Sequence, residues 1–69
     1  MADEFNKGDR VEWDTPQGPT VGVVVRKLTG PAQIGGHTAA ASADNPEYLV
    51  RSDKSGKEAA HRPEALRRR

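Results

Sequence analysis

Sixty-nine residues, no cysteine and a formal net charge of +1 describe a chain with room for one small domain. The absence of cysteine excludes a disulfide framework and a thiolate zinc site, and no apolar run approaches the roughly 20 residues that span a bilayer. At this length only about 60% of the unfolded surface is buried on folding, so the core must be thin. Met1-Ala2-Asp3-Glu4 is acidic where a signal peptide would be basic and then apolar, so a soluble cytoplasmic chain is expected.

The first clear element is a strand over about Asp9 to Asp14, where Val11 and Trp13 alternate with Arg10, Glu12 and Asp14. Pro16 and Gly18 mark a reversal, because proline presets φ for a turn and glycine accepts positive φ. A β-branched run from Thr20 to Leu28 returns as a second strand, and Gly22 within it suggests a bulge or a sharp bend. Gly30 to Gly36 reads as a mobile loop. His37 to Ser42 reads as a third strand, since the alanine-rich run has no helical period and Asp44-Asn45-Pro46 ends it.

Glu47 to Ser52 is the fourth strand. Asp53-Lys54-Ser55-Gly56 is a type I turn with Gly56 left-handed, and Lys57 to His61 returns as the fifth strand. Pro63 opens a single helical turn through Leu66, and Arg67-Arg68-Arg69 is expected to fray, as chain ends do. The expected fold is all-β, a small five-stranded SH3-like barrel over residues 5–66, with 1–4 and 67–69 as flexible termini. Its expected core is Phe5, Val11, Trp13, Val21, Val23, Val25, Leu28, Ile34, Tyr48, Val50 and Leu66, with Val24 and Leu49 on the opposite faces of their strands.

Four segments carry a resemblance. They are F-x-x-G-D-x-V-x-W from Phe5 to Trp13, G-x-V-V from Gly22 to Val25, Gly36-His37-Thr38-Ala39-Ala40-Ala41-Ser42, and the long stretch from Pro46 to Leu66 that includes Ser52-Asp53-Lys54-Ser55-Gly56-Lys57. Together they resemble the bacterial and fungal family called hypervirulence-associated proteins with a Tudor-like domain. The resemblance covers nearly the whole chain. It implies a Tudor-like barrel and no reaction.

The residues themselves offer little chemistry. His37, His61, Ser42, Ser52 and Ser55 are the raw material of a nucleophilic site, yet they fall in turns and strand ends of a domain too small for a dry pocket. Two histidines lack a third ligand at metal spacing, and Gly56-Lys57 lacks the frame and helix of a phosphate loop. No enzyme, metal or cofactor is expected. A cage for methylated lysine or arginine needs three or four aromatics on one rim, and the chain has only Phe5, Trp13 and Tyr48.

A monomeric, non-catalytic binding module is therefore the expectation. Residues 1–14 hold five acids against two bases, while residues 51–69 hold seven bases against three acids. That gradient narrowly favours nucleic acid as the ligand. The candidate contacts are Arg26, Lys27, Arg51, Lys54, Arg62, Arg67, Arg68 and Arg69 for phosphates, with Tyr48 or His37 stacking a base. Arg26, Lys27, Arg51 and the arginine tail are expected to form one continuous patch beside Tyr48. The alternative is a protein or peptide partner, held by an open sheet edge or by the lip at Gly30 to Gly36.

Overall fold

The computed structural model of the chain describes residues 4–69. Seven strands follow one another: β1 (Arg10–Thr15), β2 (Gly18–Leu28), β3 (Ala32–Ile34), β4 (His37–Ala39), β5 (Glu47–Ser52), β6 (Glu58–His61) and β7 (Arg67–Arg68). A single 3-10 turn, Pro63–Ala65, stands between β6 and β7, with proline at its start where a missing N–H costs nothing. Five strands form one antiparallel sheet in the order β6-β5-β2-β1-β7, and β3 and β4 form a separate hairpin. The fold is all-β, as expected, and the sheet is not closed: its end strands β6 and β7 do not pair with each other.

The elements read most directly from local chemistry fall where expected. β5 occupies Glu47–Ser52, and Gly56 closes the following turn at φ +72°, a left-handed value that favours glycine. Ser52 and Gly56 hold that turn, with the Gly56 amide donating to the Ser52 carbonyl at 2.8 Å. The expected third strand is shorter than its sequence suggested and lies outside the main sheet. It ends at Ala39 and pairs with β3, which occupies part of the expected loop; Gly35 and Gly36, both at positive φ, make the turn between them.

β2 corrects the expected core. Val24 is 1% exposed and packs with Phe5, Val11, Trp13, Tyr48, Val50 and Leu66, whereas Val21, Val23 and Val25 are only half-buried. A one-residue change of phase moves every side chain to the other face, and Gly22 sets the phase here. It lies opposite Val11 and Ser52, where a Cβ would stand 2.0 Å from the Arg51 carbonyl oxygen and 2.7 Å from Trp13 Cη2. Only glycine lets β5 and the indole come so close, so this face must turn inward. The bulge expected at Gly22 occurs three residues on, where the register shifts between Val24 and Arg26 and Val25 is the extra residue.

That bulge also divides the apolar residues between two clusters. Before it Val24 faces inward opposite Val50; after it Leu28 joins Leu49 and Ala41 on the other face of the sheet. The β3–β4 hairpin covers this second cluster with Ala32, Ile34 and Ala39. Three consecutive residues of β5, Tyr48, Leu49 and Val50, are buried because both faces of that strand are covered.

The chain end corrects a further expectation. Arg67 and Arg68 do not fray but pair with β1, at Glu12 and Val11 respectively, and the Arg69 amide donates to the Arg10 carbonyl at 3.1 Å. Of the other terminus expected to be flexible, Met1-Ala2-Asp3 lies outside the described residues.

Candidate binding cleft

Two turns that are far apart in sequence meet at one end of the sheet, over the buried ring of Trp13. The β1–β2 turn is tied by Thr15, whose hydroxyl donates to the Gly18 carbonyl at 2.7 Å and accepts from the Gln17 amide at 3.2 Å. The β5–β6 turn is tied by Ser52, whose hydroxyl accepts from the amides of Lys54 at 3.2 Å and Ser55 at 3.4 Å. The Asp53 amide anchors this turn to β2 by donating to the Val21 carbonyl at 3.0 Å, and Asp53 also forms an ion pair with Arg10.

Between the two turns lies a cleft of about 410 Å³. Trp13 and Ala59 form its apolar floor, with Thr15, Gln17, Thr20, Ser52 and Ser55 supplying polar groups. Lys54, Lys57 and Glu58 also line it; Glu58 pairs with Arg51, and neither lysine has an ion-pair partner among the described residues. The cleft can therefore seat a small group of mixed polarity and neutralise an anion. His61 lies beneath it, 5.5 Å from Trp13 between ring centroids. Burial lowers its pKa from 6.5, partly offset by the carboxylate of Glu47.

The expected contact residues are distributed over several places. Arg26 and Lys27 border a shallow dip with Gly30 and Pro31, at the end of β2 remote from β7. His37 and Arg51 line a wider trough between the β3–β4 and β5–β6 turns, where Arg51 pairs with Glu58 at 3.4 Å. Lys54 is on the Trp13 cleft, and exposed Arg62 immediately precedes the 3-10 turn. Tyr48 is 1% exposed, its ring edge-on to Phe5 at 5.3 Å and its hydroxyl accepting from the Phe5 amide at 3.2 Å, so it has no face to offer a base.

The charge gradient is largely consumed within the fold. Arg67 reaches Glu12 and Asp14, each at 3.0 Å; Arg69 reaches the other Glu12 oxygen at 3.0 Å; and Arg68 reaches Asp9 at 3.3 Å. The hydrogen bonds to Asp14 and Glu12 raise the Arg67 pKa above its ordinary value. Five of the seven arginines are in ion pairs. Sequence reasoning missed Thr15, Gln17 and Ser55 as cleft residues. Their turns were legible from Pro16, Gly18 and Gly56, but nothing local says that the two turns meet.

Among the described residues no group of three His, Asp or Glu side chains is placed to hold a metal ion, and no helix is long and apolar enough to cross a membrane. Residues 8–66 match the family described as the hypervirulence associated proteins TUDOR domain. No match is found among curated proteins or among solved structures.

Proposed function

This chain belongs to the hypervirulence associated proteins TUDOR domain family, and from that premise we propose that it is a non-catalytic module that binds an acidic protein segment in the cleft over Trp13. The observation that carries the reading is the pair of lysines, Lys54 and Lys57, without carboxylate partners among the described residues, lining a part-apolar cleft between two tied turns. Their charge suits a carboxylate side chain and opposes a methylated lysine or arginine. The aromatic faces that a cation cage needs are also buried, since Phe5, Trp13 and Tyr48 are each 5% exposed or less.

The same features weigh against nucleic acid. A single-strand groove combines a track of cations with aromatic faces on which bases stack, and binding strength grows with the number of phosphates neutralised. Here the three aromatics are buried and Arg67, Arg68 and Arg69 are occupied by Asp9, Glu12 and Asp14. Two lysines on a compact cleft suit one or two acidic side chains better than a phosphate track.

An NMR titration tests this directly. A blocked peptide rich in glutamate and an oligonucleotide of similar length are each added to the labelled chain at low salt. The peptide is expected to shift the amides of residues 15–20 and 52–59, and Lys54→Glu combined with Lys57→Glu is expected to abolish those shifts. Shifts with the oligonucleotide alone, centred on Arg26, Lys27 and Arg51, would return the reading to nucleic acid.

A further inference from the structure

We infer that the outer edge of β1 is a docking strand for an arginine-rich extended segment of a partner protein, and that β7 is the chain's own occupant of that edge. The chemistry of recognition is displayed by the occupant. Arg67 and Arg68 add to β1 in antiparallel register, and their side chains diverge as strand side chains do. Arg67 and Arg69 go to Glu12 and Asp14, while Arg68 goes to Asp9 and lies 4.9 Å over the ring of Phe5. Arg67 Nη2 donates to both Glu12 and Asp14, and Nη1 donates to the second Asp14 oxygen at 3.4 Å, so the guanidinium holds Asp14 through two nitrogens, a geometry that a lysine ammonium cannot reproduce.

This occupant carries no buried side chain of its own, although Arg68 covers one face of Phe5. Both β7 residues are exposed, and the last buried side chain before them is Leu66, which stays in the inner cluster. Ion pairs between exposed side chains are weak and screened by salt. The edge is also incompletely used: β7 covers Val11 and Glu12, whereas β1 runs on through Asp14 to Thr15 with no strand of the described residues on that side. A longer arginine-rich strand therefore finds the backbone groups of Trp13 to Thr15, which β7's two residues do not pair. Release of β7 leaves Asp9, Glu12 and Asp14 without their cations.

The competition gives the test. A tethered strand acts at an effective concentration on the order of millimolar, so the intact chain should bind a free competitor weakly. The probe is a blocked peptide Ala-Leu-Arg-Arg-Arg, measured by NMR against the intact chain and against the Arg67→Ala/Arg68→Ala/Arg69→Ala variant. The variant is expected to bind at least about tenfold more tightly than the intact chain. Adding Glu12→Gln and Asp14→Asn should remove the gain, and a lysine version of the peptide should bind more weakly. Equal affinity of the intact and alanine chains overturns the inference, as does a gain that survives the carboxylate changes. Should the alanine variant fail to fold, the intact chain decides. Excess peptide must then shift the amides of residues 10–14 and expose the Arg69 amide to exchange, and no such change at millimolar peptide overturns the inference. Salt-sensitive dimerisation of the intact chain without peptide also overturns it, by making a second copy's tail the occupant.

Discussion

Replacing Gly22 with alanine is the sharpest challenge to this account of the fold, because one added carbon has nowhere to go. The new Cβ would stand 2.0 Å from the Arg51 carbonyl oxygen and 2.8 Å from the Arg51 carbonyl carbon, both of them backbone, and 2.7 Å from Trp13 Cη2. An ordinary carbon–oxygen contact lies at about 3.4 Å or more, so β5 must move away from β2 by more than 1 Å or the indole must leave its rotamer. Either movement disturbs the Val23–Arg51 register and the inner cluster together. Overpacking of this kind costs about 3 kcal/mol or more. A domain of this length is stable by about 3–10 kcal/mol in total, so the loss is a large part of it. At about 4–8 °C per kcal/mol the melting temperature should fall by at least roughly 12 °C. Trp13 is the sole tryptophan and sits against Gly22, so urea unfolding followed by its fluorescence reads the change where it occurs. Val23→Ala, one residue on and half-buried, is the control and should cost about 1 kcal/mol. If Gly22→Ala costs no more than the control, the close approach is not what sets the face of β2.

Three further measurements probe other parts of the molecule. Val24→Ala should cost about 2–3 kcal/mol and Val25→Ala no more than about 1 kcal/mol, since Val24 is in the inner cluster and Val25 is the bulged residue; the reverse order in urea denaturation would reinstate the expected core. Burial lowers the His61 pKa from 6.5, so the unfolded chain takes up its proton first. The stability linked to His61 should therefore be complete above about pH 6.5 and fall as pH drops through the folded value, with His61→Gln flattening that slope in urea midpoints; a midpoint that rises on acidification across this window contradicts the sign. Glu12→Gln removes the carboxylate shared by Arg67 and Arg69. It should lower the melting temperature only slightly, and the difference should shrink as salt is raised, because exposed pairs are screened; a large, salt-independent loss would mean that β7 is held by something other than its charges.

What the sequence by itself determined is whatever local chemistry decides. β5 and its turn were legible at Glu47–Ser52 and Gly56, because a short apolar run followed by a glycine-closed turn needs only its own residues. The same holds for Trp13 and Leu66 in the core and for the 3-10 turn at Pro63. Four valines in β2 left both phases of that strand open, and only β5 pressing on Gly22, with the bulge at Val25, chose Val24. His37 to Ser42 read as a strand of the main sheet because nothing nearby reveals that the second face of β5 needs a cover. Arg67 to Arg69 read as a solvated end because their partners, Glu12 and Asp14, are more than fifty positions away. Sequence periodicity reports which residues prefer an interface, whereas the pairing of distant strands decides which interface they meet; for this chain that pairing turned an apparent charge gradient into a closed seam and brought two separate turns together over Trp13.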